Sequence, residues 1–299
     1  MKARLKPIDQ QVMVITGASS GIGLCTARLA AARGARVVLV ARSREVLEAI
    51  AGEIKASGGQ AVAVACDVAE RASVDQAALT AISAFGRIDT WVNDAGVSIY
   101  GRLDEVDERD SRRLFDTNFW GVVNGSLAAL PFLKPQGGAL INVGSEVSDA
   151  VIPLQGMYSA SKHAVKGFTD ALRVEIEDVD KRPVSITLIQ PTAVNTPYPE
   201  HARNYMDKEP KLPDPMIDPQ DVAEAILTAA VEGGRDVKVG GMAVMNTIVT
   251  KVMPSLGDSL SAKQADRQQR DESPRSPDGA LHEPSHSGRT HGREAPAAS

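Results

Sequence analysis

Tyr158 and Lys162 stand four residues apart in Tyr158-Ser159-Ala160-Ser161-Lys162, at the start of a helical pattern. Residues at i and i+4 share a helix face, so the phenol and the ammonium can point into one cleft. That pair suits proton transfer to and from an oxygen. A free phenol titrates at about 10, and lowering it by about 3 units takes roughly 4 kcal/mol. One cation about 4 Å away supplies roughly that much at an effective dielectric of about 20. Lys162, aided by the positive charge of an oxidised nicotinamide, is therefore sufficient in magnitude to make Tyr158 a working acid/base. Ser145 closes Val143-Gly144-Ser145, thirteen residues before Tyr158. Its hydroxyl can orient an oxygen and bond the charge that develops there. Together the three groups would serve a carbonyl oxygen that gains charge as hydride reaches its carbon.

A second motif binds rather than reacts. Thr16-Gly17-Ala18-Ser19-Ser20-Gly21-Ile22-Gly23 follows one apolar run and opens a helical one. Gly17 permits a tight turn, Gly21 lets the backbone approach a pyrophosphate, and Gly23 lets the helix pack closely on the strand. The N–H groups at the helix start then face phosphates. At the end of the second strand Ala41 is followed by Arg42, with no acid. An acid there would accept hydrogen bonds from a free ribose 2′-hydroxyl; an arginine attracts a 2′-phosphate instead. Arg44 can share that role.

These groups need a frame that brings strand ends and helix starts together. Val12 to Thr16, Arg36 to Ala41, Ala61 to Cys66, Ile88 to Asn93, Ala139 to Val143 and Val184 to Gln190 are short runs rich in Val and Ile. Most are apolar throughout, as parallel strands covered on both faces are. Helical stretches such as Ile22 to Arg33, Glu45 to Ser57 and Val74 to Phe85 lie between them. Gly34 and Gly58 fall where left-handed helix caps belong. A helix near Pro219 to Glu232 and a strand near Asp236 to Gly240 complete about seven strands. The expected fold is α/β: a doubly wound, Rossmann-type parallel sheet in one domain, 11–256, after an N-terminal extension, 1–10. The stretch 192–218 holds many prolines and charges and is too long for an ordinary connection, so it reads as a lid over the substrate. The tail 257–299 lacks aromatics, Ile and Val and is expected to be disordered.

The net charge of −5 offers no basic field for nucleic acid. Cys25 and Cys66 are far apart and form no metal or disulfide pattern, which fits a reducing compartment. The tail histidines are irregularly spaced, so no metal site is expected. No apolar run reaches membrane-spanning length, and the N-terminus carries no signal peptide, so the expected location is the cytoplasm. The apolar stretch Met242 to Leu256 is expected to pack on the domain or a neighbouring subunit.

The spacing TGxxxGxG, with Ser145 and the YxxxK pair, resembles the short-chain dehydrogenase/reductase family in its ordinary, non-extended form, over about Val12 to Gly240. The resemblance implies an NADP(H)-dependent oxidoreductase interconverting a carbonyl and a secondary alcohol. It also implies the catalytic set Asn118, Ser145, Tyr158 and Lys162, with Asn118 in a long helix helping to hold a relay water. Arg42 with Ser19 is similar to the family's NADP(H)-preferring pattern. Asp67 and Val68 would border the adenine. Asn93-Asp94-Ala95-Gly96 resembles the family's NNAG, with Asp94 in place of the second Asn. Pro191 to Thr196 resembles its PGxVxT loop, with Val194 and Thr196 matching and Thr192 in place of Gly. The implied cofactor site is Gly17, Ser19, Ser20, Gly21, Ile22, Gly23, Arg42, Asp67, Val68, Asn93, Ala95, Gly96, Tyr158, Lys162, Pro191, Val194 and Thr196. Glu146, Ile152, Leu154, Gln155, Met157 and the lid from Pro197 to Ile217 are candidate substrate-pocket residues. A homodimer or homotetramer is implied, through the helices bearing Asn118 and Tyr158. The rival reading is a non-catalytic NADP(H)-binding redox sensor, which would not need the complete catalytic set.

Overall fold

The computed structural model describes residues 4–241 and 254–293. Seven parallel strands form one sheet: β1 (Val12–Thr16), β2 (Arg36–Ala41), β3 (Gln60–Ala65), β4 (Thr90–Asn93), β6 (Gly138–Val143), β7 (Val184–Pro191) and β9 (Asp236–Val239), in the order β3-β2-β1-β4-β6-β7-β9. The expected doubly wound Rossmann-type fold is therefore the observed one. The strand order reverses at β1, so the crevice beyond the carboxyl ends of β1 and β4 is where such a sheet binds its ligand.

Alternation along the strands divides the core. Met13 and Ile15 of β1 face one layer with α1 (Gly21–Ala32), α2 (Arg44–Ala56) and α8 (Pro219–Glu232). Val14 faces the other, with α3 (Arg71–Phe85), α5 (Gly121–Gln136) and α6 (Gly156–Arg173). Every residue of β1 is buried, which explains its apolar run from Val12 to Ile15. Gly34 and Gly58 close α1 and α2 with φ of 89° and 85°, in the left-handed region expected of them.

Smaller elements roof the crevice. Helix α4 (Glu108–Phe115) runs through a π turn, Asp116–Trp120, into α5. The short strands β5 (Ile99–Tyr100) and β8 (Arg203–Asn204) pair in parallel and tie the loop after β4 to the lid. The lid itself carries the short helix α7 (Tyr198–His201).

The tail expected to be disordered is placed against the domain as far as residue 293. A helix, Pro254–Ala262, and a 3-10 turn, Asp266–Gln268, precede an irregular run across the mouth of the crevice. The tail borrows its burial from the lid and crevice: Gln268 and Leu281 are fully buried there, and Arg293 reaches Glu209 of the lid at 3.1 Å. The apolar stretch from Met242 lies outside the described residues as far as 253. Among the described residues, no helix is long and apolar enough to cross a membrane.

Candidate active site

The crevice is lined by the turn after β1, the ends of β2, β3 and β6, the loop after β4, the start of α6, the loop after β7 and the lid. Gly17 has φ of 73°, and a Cβ on it would stand 2.9 Å from the Ala95 amide nitrogen. A Cβ on Gly23 would meet the Gly17 carbonyl oxygen. Both positions need glycine, because α1 abuts the turn and the turn abuts the loop after β4. The Thr16 hydroxyl accepts from the amides of Asp94 (3.0 Å) and Ala95 (3.1 Å), so one side chain holds both loops in place. Sequence reading passed Thr16 over; a hydroxyl at the end of a buried strand was the available signal.

Tyr158 lies in the first turn of α6 and Lys162 one turn later, so both reach the same cleft. The Ser145 side chain lies close enough to the Tyr158 hydroxyl to favour its ionised form. Ser145 is held in turn: its Oγ accepts from Val147 N (3.3 Å), while Ser148 Oγ accepts from its amide (3.2 Å). Lys162 is buried, lies 5.7 Å from the Tyr158 ring centroid, and donates to the Val143 carbonyl at 2.8 Å. The expected lowering of the phenol by Lys162 is not what this geometry produces. Burial pushes Tyr158 up to about 12, opposed by its hydrogen bonds to Ser145 and Tyr198. The ammonium spends a hydrogen bond on backbone. At this starting point the phenol is fully protonated at neutral pH, which suits a proton donor.

Burial pulls Lys162 down to about 8, and the neighbouring Asp94 carboxylate opposes the fall. The substitution at Asp94 thus has a consequence. Burial raises its carboxyl to about 7, against the lowering by Lys162 and then by the Gly23 amide. Replacing Asp94 by Asn removes the charge that holds the proton on Lys162. The alkaline limb of any turnover that uses a charged Lys162 is then expected to move to lower pH, since Lys162 would lose its proton sooner. A pH profile of kcat for Asp94→Asn unchanged from the parent would contradict this.

Asn118 sits in the π turn and is fully buried. Such a turn interrupts the regular α ladder and is frequent at functional sites. The Asn118 side chain accepts from Val97 N (2.8 Å) and donates to Val97 O (2.9 Å) and Ser161 Oγ (3.2 Å). It splints the loop after β4 to α6 rather than lining the crevice.

Asn93 is not brought to the crevice either. Its amide donates to Asn142 Oδ1 (2.8 Å) and Ser126 Oγ (3.2 Å), and its oxygen accepts from Trp91 Nε1 (2.8 Å). The side chain points into the core because it belongs to β4 proper, opposite Asn142 of β6. Asn142 Nδ2 continues the network to Thr169 Oγ1 of α6 (2.9 Å).

The remaining expected cofactor residues converge. Ser19, Ser20, Gly21, Ile22, Arg42, Asp67, Val68, Ala95, Gly96, Pro191, Val194 and Thr196 all line the crevice; Gly23 stands just behind it as a packing position. Burial, and then the like charge of Arg113, pull Arg42 below its ordinary pKa. Arg113, which sequence reading did not single out, is paired with Asp67 at 2.5 Å. Thr192 causes no backbone strain in place of glycine: its φ is not positive, and its hydroxyl donates to Glu146 Oε2 at 3.1 Å.

At the substrate end, Glu146, Ile152 and Gln155 line the crevice as expected, with Tyr198, Leu212 and Pro213 from the lid; Leu154 and Met157 do not. Leu154 instead takes φ of 65° just before α6. The Tyr198 ring packs edge-on against Tyr158, with centroids 5.4 Å apart. Its hydroxyl lies 2.7 Å from both Ser98 Oγ and Gln155 Oε1. Gln155 Nε2 donates to Gln268 Oε1 of the C-terminal segment at 2.6 Å. Among the described residues, no cluster of His, Cys, Asp and Glu could hold a metal ion.

Comparison with known proteins agrees with this geometry. A family model described as short chain dehydrogenase matches residues 11–206. The uncharacterized oxidoreductase YxnA of Bacillus subtilis is 46% identical over 279 residues, covering 92% of this chain and 78% of that protein. A short-chain dehydrogenase/reductase of Burkholderia phymatum, solved in complex with NAD, superposes with a TM-score of 0.76 at 25% identity, over 89% of this chain and 99% of its own. An alcohol dehydrogenase of the archaeon Thermococcus sibiricus, complexed with 5-hydroxy-NADP, gives 0.67 at 29% identity, over 77% and 94%.

Proposed function

This chain belongs to the short-chain dehydrogenase family, and from that premise we propose that it is an NADP(H)-dependent oxidoreductase interconverting a carbonyl and a secondary alcohol. The observation that carries the reading is the convergence of Ser145, Tyr158 and Lys162 on one crevice with the glycine turn and Arg42. A sensor would have no use for that set.

The residues present fit a dinucleotide. The two glycines leave a cradle that a Cβ would fill, and the α1 N-terminus opens into it. The turn 17–22 would hold the pyrophosphate, Asp67 and Val68 the adenine, and Val194 and Thr196 the nicotinamide. When bound, the cofactor supplies or accepts the hydride. Ser145 would orient the substrate oxygen, and Tyr158 would give it a proton in reduction or take one in oxidation. Lys162 would steady the charge left on the phenol.

Of the two solved neighbours, one carries NAD and the other an NADP derivative. The choice of NADP(H) for this chain rests on Arg42 and on the absence of an acid beside it. The lid side chains favour a moderately apolar ketone or alcohol. Testing begins with a carbonyl panel, following the absorbance of NADPH against that of NADH. No turnover of any carbonyl or alcohol with either cofactor would defeat the reading.

The same reading includes a homodimer or homotetramer in the cytoplasm; the free cysteines Cys25 and Cys66 support a reducing compartment. Trp120 (52% exposed), Leu127 (39%) and Val174 (46%) leave apolar surface on the π turn, α5 and the end of α6, where a two-fold pairing would cover it. Light scattering is expected to give twice or four times the chain mass of 31.6 kDa; a monomer would contradict the pairing.

A further inference from the structure

The crevice face that would receive the adenosine half of a dinucleotide is covered by the chain's own residues 280–292. Arg42 Nη2 donates to the Ala280 carbonyl, and Nη1 to those of Leu281 (3.2 Å) and His282 (3.1 Å). Arg113 Nε donates to the same Leu281 oxygen at 3.3 Å. At the head of α1, the Gly21 amide donates to the Arg289 carbonyl at 2.9 Å. The Leu281 side chain is fully buried in a cluster with Val97, Ile99 and Leu114.

Each of these donors is one that a phosphate oxygen would take, and each acceptor is a neutral peptide oxygen. Two guanidinium groups converging on one carbonyl make an anion-binding geometry. The Gly21 N–H has a single hydrogen, which cannot serve the Arg289 carbonyl and a pyrophosphate oxygen at once. The run is held from both sides: Arg289 pairs with Glu200 of the lid at 2.6 Å and His291 lies 3.0 Å from Asp218, while His282 Nε2 lies 2.8 Å from Asp110 of α4 and His286 Nδ1 3.3 Å from Ser43 Oγ. Only Ala280 and Leu281 of the run are buried and it has no regular secondary structure, so opening it is a local event.

We propose that residues 280–292 are an internal competitor of the dinucleotide, docking where its phosphates bind and leaving before cofactor enters. The inference rests on the NADP(H) reading of the crevice. It makes the apparent affinity for cofactor depend on the fraction of molecules with the segment undocked. A segment docked about nine-tenths of the time raises the apparent Kd about tenfold.

The test uses the full chain. NADPH and NADH are titrated by calorimetry into the parent, Leu281→Asp and Arg289→Glu, and amide exchange in 280–292 is followed by mass spectrometry with and without NADPH. Leu281→Asp expels the buried plug. Arg289→Glu breaks an exposed pair with Glu200 and does not threaten the core. Both variants are expected to bind NADPH about tenfold more tightly, and NADPH is expected to speed exchange in the parent's segment. Unchanged or weaker affinity in both variants, or slower exchange with NADPH, overturns the proposal and makes the segment a clasp. The NADH arm separates the two readings, because the Gly21 amide would serve either cofactor. Tightening in the variants without any NADPH preference sinks the NADP(H) reading and leaves competition standing. NADPH preference with neither variant altered sinks competition alone.

Discussion

Tyr158→Phe is expected to lower kcat about a thousandfold while the KM for cofactor changes little, since a positioned acid/base contributes about 10²–10⁴-fold. The substitution removes one oxygen and leaves the ring, whose edge-on contact with Tyr198 at 5.4 Å survives. What disappears is the proton donor and the group that Ser145 holds in line. A structural role for the hydroxyl would appear instead as lost stability or weakened cofactor binding, so Tm and the dissociation constant of NADPH are measured beside kcat. A variant retaining more than about a tenth of the parent rate would remove Tyr158 from the proton transfer.

Arg42→Ala is expected to weaken NADPH binding by about tenfold to a hundredfold, as loss of a charged hydrogen bond worth about 1.5–3 kcal/mol would. NADH should lose nothing. Arg42 lies beyond β2, away from the reacting groups, so kcat at saturating NADPH should hold. Equal weakening of both cofactors would mean that Arg42 supports the turn rather than reading a 2′-phosphate. A parent enzyme tenfold better with NADH would overturn the assignment before any substitution is made. The double requirement is strict because Arg113 stands close by, and it could carry part of the charge once freed from Asp67.

The fold was legible because burial on both faces writes an unmistakable pattern. Val12 to Ile15 is apolar at every position, and no solvent-facing residue interrupts β1. The Tyr158–Lys162 pair and the glycine turn were legible because each depends on spacing within one element. Asn93 was misassigned for the opposite reason. A polar residue at the carboxyl end of a strand can turn outward or inward, and the decision belongs to Trp91 and Asn142, one of them on another strand. The expected lowering of Tyr158 was read from spacing along one helix; burial, which depends on the elements packed around that helix, pushes the phenol the other way. The tail escaped composition altogether. Its few apolar residues could not order it alone, but Leu281 fits a hollow made by Val97, Ile99 and Leu114. Tyr198, likewise, lies forty residues past its ring partner in sequence and meets it only through the lid.

The paired amides of Asn93 and Asn142, buried between neighbouring strands and shared with Thr169, act as a detent. Parallel strands of small aliphatic residues could otherwise slide with little penalty to the oily layers around them. Only one alignment satisfies both amides, and any other strands polar atoms where no water can reach. Two residues beyond that rung on one strand stands Ala95 of the nucleotide loop; three beyond it on the other stands Ser145. The detent thus indexes the loop that cradles one reactant against the hydroxyl that aligns the other, from inside the protein and without touching either.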